Sequence, residues 1–226
     1  MVGVGASAGG LAAFKKLLGA IPEDSGMAYV LVQHLDPKHD SLLPELLQKA
    51  TKVPVLEITD DIKVEPDHIY IIPSNKMLLA TDGVLKLSPR PAPKSNKRNL
   101  PIDLFLSSLA AVHHSHSLGV VLTGTGSDGT EGLRAIKDEG GITFAQNEES
   151  AEWPEMPRNA VDAGVVDFVL ELGEIPRKIL EIINTFDQDE KEEEVISQSD
   201  EDVFRQIIAL LRIRKGTDFT YKTVAR

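Results

Sequence analysis

Val2-Gly3-Val4-Gly5-Ala6-Ser7-Ala8-Gly9-Gly10-Leu11 decides the fold. A short β-branched run, Val2 to Val4, ends in a glycine-rich turn, and from Leu11 to Ile21 apolar residues recur at helical intervals until Pro22 closes the segment. A strand running through a tight turn into a helix is the first half of a βαβ unit, and the second strand follows at Ala28 to Gln33, apolar enough to be buried on both faces.

Outward from that unit the alternation continues. Ser41 to Ala50 is a helix candidate, and Val55 to Ile58 and His68 to Ile72 are strands. Met77 to Ala80 and Val84 to Leu87 flank Thr81-Asp82-Gly83, and Asp-Gly between alternating apolar runs predicts a β-hairpin. Ser88 to Leu100, rich in Pro, Lys and Arg, reads as an exposed loop before a helix at Ile102 to His113. Strands at Gly119 to Thr123, Gly141 to Ala145 and Val165 to Leu170, with helices at Thr130 to Glu139 and from Pro176 to Phe186, complete the series. The expected fold is α/β: a doubly wound, mostly parallel sheet with helices on both faces and an inserted β-hairpin. In such sheets ligands sit at the carboxyl ends of the strands.

Composition narrows the chemistry. The 226 residues, 42% of them hydrophobic, hold enough apolar material for one large domain or for a domain plus an appendage. With no cysteine there is no disulfide, thiol nucleophile or Cys-ligated metal, which leaves hydroxyl, imidazole and carboxylate groups. A net charge of −11 argues against nucleic acid, whose binding needs Lys and Arg against phosphate. No apolar stretch approaches the roughly 18 to 20 residues that span a bilayer, so neither membrane insertion nor secretion is expected, and a cytoplasmic address fits. Residues 187–202 carry nine acids against Lys191 and read as a solvated linker, although an acidic start to a following helix fits the same residues. Residues 203–226 carry net +5, with Val203, Ile207, Ile208, Leu210 and Leu211 at helical spacing, and read as an amphipathic helix belonging to a second domain. The body of the protein is therefore placed at 1–186.

Three predicted strand ends carry reactive groups: Ser7, His34 and Asp128. Gly5-Ala6-Ser7-Ala8-Gly9 fits the G-x-S-x-G nucleophile elbow, in which small neighbours allow a sharp turn that exposes the serine hydroxyl near a helix N-terminus. The same stretch, Gly3-Val4-Gly5-Ala6-Ser7-Ala8, also satisfies G-x-G-x-x-G/A, with Asp36 as the ribose-binding acid of a nucleotide site. A third reading makes the glycines a packing device. His34 has the intrinsic pKa of a general base, yet a histidine after a buried strand also serves structure. Asp128, in Thr123-Gly124-Thr125-Gly126-Ser127-Asp128-Gly129, fits a triad carboxylate and, taken singly, fits a helix cap better. His39, His68, His113, His114 and His116 show no metal-binding spacing.

Taken together, Val2 through Gly10, Val32-Gln33-His34, His68-Ile69-Tyr70-Ile71-Ile72-Pro73, Val121 through Gly132 and Met156-Pro157-Arg158 with Ala163-Gly164 resemble the catalytic domain of CheB-type chemotaxis methylesterases. The resemblance implies a catalytic Ser7, His34 and Asp128, with the backbone amides of His34 and Thr125 as oxyanion donors and no metal or organic cofactor. It implies hydrolysis of γ-glutamyl methyl esters on methyl-accepting chemotaxis receptors, with methanol released, and often deamidation of glutamines. Three positions depart from the family's common pattern: Ala8 stands where threonine is usual, Thr125 where methionine is, and Glu155 where glycine is. No receiver domain precedes Val2, so control is expected from elsewhere. Phe204 to Leu211, continuing through Gly216-Thr217-Asp218-Phe219, resembles the start of a CheR-type methyltransferase, which implies a methylesterase–methyltransferase fusion. Two rivals remain beside the enzyme: a nucleotide-binding domain using Gly3, Gly5 and Asp36, and a module that binds receptors without turnover.

Overall fold

The structure, a computed structural model, describes residues 1–33, 42–90 and 100–193, with side chains through Thr185. By contact density the chain divides into two units, Met1–Pro176 and Arg177–Arg226. The first is built on a seven-stranded sheet in the order β10-β9-β8-β1-β2-β5-β3, every neighbouring pair parallel. Its strands are β1 (Val2–Ala6), β2 (Ala28–Gln33), β3 (Val55–Glu57), β5 (His68–Ile71), β8 (Leu118–Val121), β9 (Ile142–Gln146) and β10 (Phe168–Leu170). The helices between them are α1 (Gly10–Leu18), α2 (Leu43–Gln48), α3 (Pro101–His113), α4 (Thr130–Asp138) and α5 (Glu155–Asp162).

From β1 the chain winds one way through β2 and then returns to β8 on the other side of β1, so the winding reverses between β1 and β8. Right-handed crossovers in two opposite directions put α1 and α2 on one face and α3, α4 and α5 on the other. Alternation along β2 follows. Ala28, Val30 and Val32 join the core formed by Ile102, Phe105 and Leu106 of α3 and Leu133 of α4, while Tyr29 and Leu31, equally buried, are not part of that cluster. Glycines let the α3–α4 layer come close: a Cβ on Gly3 would lie 2.6 Å from Leu106 Cδ2, and one on Gly119 would lie 2.6 Å from both Leu133 Cδ2 and Ile136 Cδ1. A Cβ on Gly5 would overlap Ile102.

The hairpin is present as β6 (Lys76–Thr81) and β7 (Val84–Pro89), joined by Asp82-Gly83. It does not interrupt the main sheet. It forms a separate antiparallel sheet, β4-β7-β6, with the two-residue strand β4 (Ile62–Lys63), too short to leave a periodic signal in the sequence. Leu78, Ala80 and Leu85 carry this sheet into the α3 side of the core.

The last helix, α6, spans Ile175–Glu193, so the first residues of the acidic stretch 187–202 continue a helix. Most of the loop expected at Ser88 to Leu100, and the amphipathic helix expected at 203–226, lie outside the described residues. Among the described residues no helix is long and apolar enough to cross a membrane.

Candidate active site

At the carboxyl end of β1 the chain turns through Ser7 into α1. Ser7 N–H donates to the Thr123 carbonyl at 3.0 Å, and the Ser7 carbonyl accepts from Gly10 N–H at 2.9 Å. The first bond ties the turn to the end of β8; the second closes it. Gly9 takes φ 74°, the left-handed conformation that an L side chain resists, and this lets α1 begin only three residues beyond Ser7. Ser7 is half-buried, and its hydroxyl makes no hydrogen bond among the described residues. A tight strand-to-helix turn is therefore formed at Ser7.

The rival nucleotide reading loses its glycines here. Gly3 and Gly5 lie inside β1, covered by Leu106, Phe105 and Ile102 of α3, so neither opens a path for a pyrophosphate. Packing accounts for both, and Asp36, the third member of that reading, lies outside the described residues.

Beside Ser7 runs the segment Thr123 to Gly129. Buried Thr123 is its hub: the backbone N–H donates to Gln146 Oε1 at 2.9 Å, and Oγ1 accepts from Trp153 N–H at 2.8 Å. The hydroxyl proton is offered to the carbonyl of Ala8 or Trp153, at 3.2 and 3.3 Å. Gly124 donates to the Trp153 carbonyl and accepts from Met156 N–H. Gly126 is held from both sides, its N–H by Glu155 Oε2 at 3.1 Å and its carbonyl by Asn159 Nδ2 at 2.7 Å. Thr125, exposed between these two clamped glycines, has an N–H with no acceptor among the described residues. A fixed loop that turns the Thr125 amide outward beside a serine suits an anionic intermediate.

Glu155 thus has a visible task, which the sequence could not announce. Its carboxylate accepts the Gly126 N–H, which would otherwise be left to water. Trp153 fastens this wall by its backbone and is itself 46% exposed.

Asp128 is buried, and it is a helix cap, but of a helix remote in sequence. Its Oδ2 accepts from Ile102 N–H at 3.1 Å and its Oδ1 from Asp103 N–H at 2.9 Å, both in the first turn of α3. The residue capping its own helix, α4, is Gly129, at φ 98°. Asp103 returns the service: its Oδ1 accepts from Gly129 and Gly132 N–H, each at 2.8 Å. Burial, with the Asp128 carboxylate adding to it, pushes the Asp103 carboxyl up to about 6 against the opposing pull of those two amides.

His34 lies outside the described residues. Gln33, immediately before it, ends β2 opposite Ala6, and its Nε2 donates to the Ser7 carbonyl at 3.4 Å. Ser7 and the Asp128 loop therefore meet on adjacent strands at the point where the winding reverses. Among the described residues no group of three His, Asp or Glu is arranged to hold a metal ion.

This arrangement has counterparts. Residues 2–179 match the family described as CheB methylesterase. The chain belongs to that family. The crystal structure of the Thermotoga maritima CheB methylesterase catalytic domain superposes with a TM-score of 0.72 at 30% identity, covering 80% of this chain and 97% of that one. A relative in Leptospira interrogans is 32% identical over 191 residues, which is 84% of this chain and 96% of its own. A Salmonella typhimurium protein named protein-glutamate methylesterase/protein-glutamine glutaminase is 34% identical over 80% of this chain but only 52% of its own length. The family accounts for the doubly wound α/β sheet, and the CheB fold is what brings the ends of β1 and β8 together here.

Proposed function

We propose that this CheB-family chain is a serine hydrolase that removes methyl esters from γ-glutamyl side chains of chemotaxis receptors. Ser7 Oγ attacks the ester carbonyl carbon while His34 takes the hydroxyl proton and Asp128 orients the imidazole. The carbonyl oxygen becomes an oxyanion, received by the backbone amides of Thr125 and His34. As the C–O bond breaks, the imidazolium returns its proton to the departing oxygen and methanol leaves. Water, deprotonated by His34, then attacks the acyl-enzyme, giving glutamate and free Ser7. The same steps on a glutamine side chain release ammonia, which is deamidation.

The observation that carries this reading is the Ser7–Thr123 backbone bond, which sets Ser7 beside the loop bearing Thr125 and Asp128. General-base assistance supplies about 10² to 10⁴ in rate, and one oxyanion donor about 10² to 10³. Methanol release from methylated receptor, compared between the parent and Ser7→Ala, tests it. Loss of release with the fold retained supports the reading. Equal release from both refutes the nucleophile, and receptor binding without release by the parent would make the chain a receptor-binding module.

The same reading assigns a cytoplasmic location, where receptor signalling helices are reached without membrane insertion. It divides the chain into a catalytic domain at 1–186, an acidic linker at 187–202 whose first residues continue α6, and a CheR-type start at 203–226. This division rests on charge and on the resemblance of Phe204 to Phe219. A methyltransferase in the same polypeptide would place the opposing activity beside this one, and the reading frame of the parent gene tests that directly.

A further inference from the structure

Two carboxylates cross between the N-termini of α3 and α4. α3 opens with Pro101, which lacks an N–H, so its first-turn donors are Ile102 and Asp103, and both go to Asp128. α4 opens after Gly129, and the N–H groups of Gly129 and Gly132 both go to Asp103. A Cβ on Gly132 would lie 2.6 Å from Leu106 Cβ and 3.1 Å from Asp103 Cα, so glycine there is what lets the two helix starts approach closely enough for the exchange. Two buried like charges repel, and four amides together with the positive ends of two helices offset that repulsion.

Within this exchange the two acids are not equivalent. Asp128 is the one that the catalytic reading uses. Asp103 bonds the amide of Gly129, the very next residue, and so fixes the peptide unit that carries the Asp128 side chain. We infer that Asp103 is a positioning residue: its carboxylate, by holding the Gly129 and Gly132 amides, keeps the Asp128 carboxylate aimed for the reaction. The inference rests on the catalytic reading above. The charged groups nearest Asp103 are Asp128 and, on α4, Glu131.

The test compares Asp103→Ala, Asp103→Asn and Asp167→Ala with the parent. Asp167 is a control at the other end of α4: it is equally buried and accepts from Lys137 Nζ at 2.7 Å and Thr143 N–H at 3.0 Å, remote from the site. Methanol release across pH and the rate of fluorophosphonate labelling are measured per folded molecule. Asp103→Ala is expected to lower kcat about 10- to 100-fold with KM little changed, the cost of a misaimed group. Asp103→Asn keeps an acceptor oxygen and loses the charge. It is expected to restore most of kcat, because the retained oxygen still holds the Gly129 and Gly132 amides. Asp167→Ala should lose stability and keep kcat. If Asp103→Ala labels and turns over like the parent, or if Asp167→Ala loses kcat equally, Asp103 is only a helix cap and the inference falls. A parent that neither labels nor releases methanol overturns the catalytic reading itself.

Discussion

Gly124 is where a single methyl group tests the geometry of the site most sharply. Its backbone is held on both sides, N–H to the Trp153 carbonyl and carbonyl from Met156 N–H, so the peptide has little freedom to retreat. A Cβ there would sit 2.7 Å from Met156 Sδ and 2.9 Å from Ser7 Cβ. Carbon atoms in comfortable contact lie about 3.5 to 4.0 Å apart. The Met156 thioether is flexible and gives way at modest cost. Ser7 Cβ does not, since its main chain is bonded to Thr123 and Gly10. Relief then requires Ser7 and Gly124 to part by roughly 0.6 Å or more. Gly124→Ala is therefore expected to cost about 1 to 3 kcal/mol of stability through overpacking and about 10²-fold in kcat through displacement of the nucleophile. Methanol release at saturating substrate, read beside circular dichroism and a thermal melt, measures both. Gly173→Ala is the matched control, because nothing lies within 4 Å of its added Cβ. A folded Gly124→Ala protein with parental kcat would refute the close approach of the two segments.

Thr123→Val keeps the shape of the hub and removes its hydroxyl, leaving Trp153 N–H without its 2.8 Å partner; a loss of about 1 to 3 kcal/mol in urea denaturation is expected, with a severalfold fall in kcat, and an unchanged midpoint would show the hub to be dispensable. The Asp103 carboxyl, raised from 3.8 to about 6, binds its proton more tightly folded than unfolded, so its contribution to stability is complete below about pH 3.8 and is lost as pH rises through about 6. Relative to the parent, Asp103→Asn should gain stability from pH 4 to 7, by at most about 3 kcal/mol; a difference independent of pH contradicts the raised value. Lys137→Met removes the cation 2.7 Å from the buried Asp167 carboxylate and should lower the melting temperature while leaving methanol release per folded molecule intact.

The alternation of β-branched runs with helical ones was legible because each element shows its period locally, which is why β2 was recovered residue for residue at Ala28–Gln33. The elbow was legible for the same reason: Gly5 to Gly9 is contiguous, and a turn with φ 74° at Gly9 is chemistry that neighbours dictate. What those glycines were for was less legible. Gly3 and Gly5 fitted a phosphate-binding pattern as well as a packing one, and only the presence of α3, about a hundred residues later in the chain, decides between them.

By itself, then, the amino-acid order determined the α/β winding, the hairpin at Asp82-Gly83 and the candidacy of Ser7 and Asp128, since periodicity and turn chemistry act over a few residues. Tertiary structure alone decided that Asp128 caps α3 rather than its own helix, that Asp103 answers it, and that Glu155 and Asn159 clamp the loop carrying Thr125. A hydrogen bond between residues 25 to 33 positions apart leaves no periodic trace. It exists only once the sheet has brought the two helix starts, and the ends of β1 and β8, to the same edge.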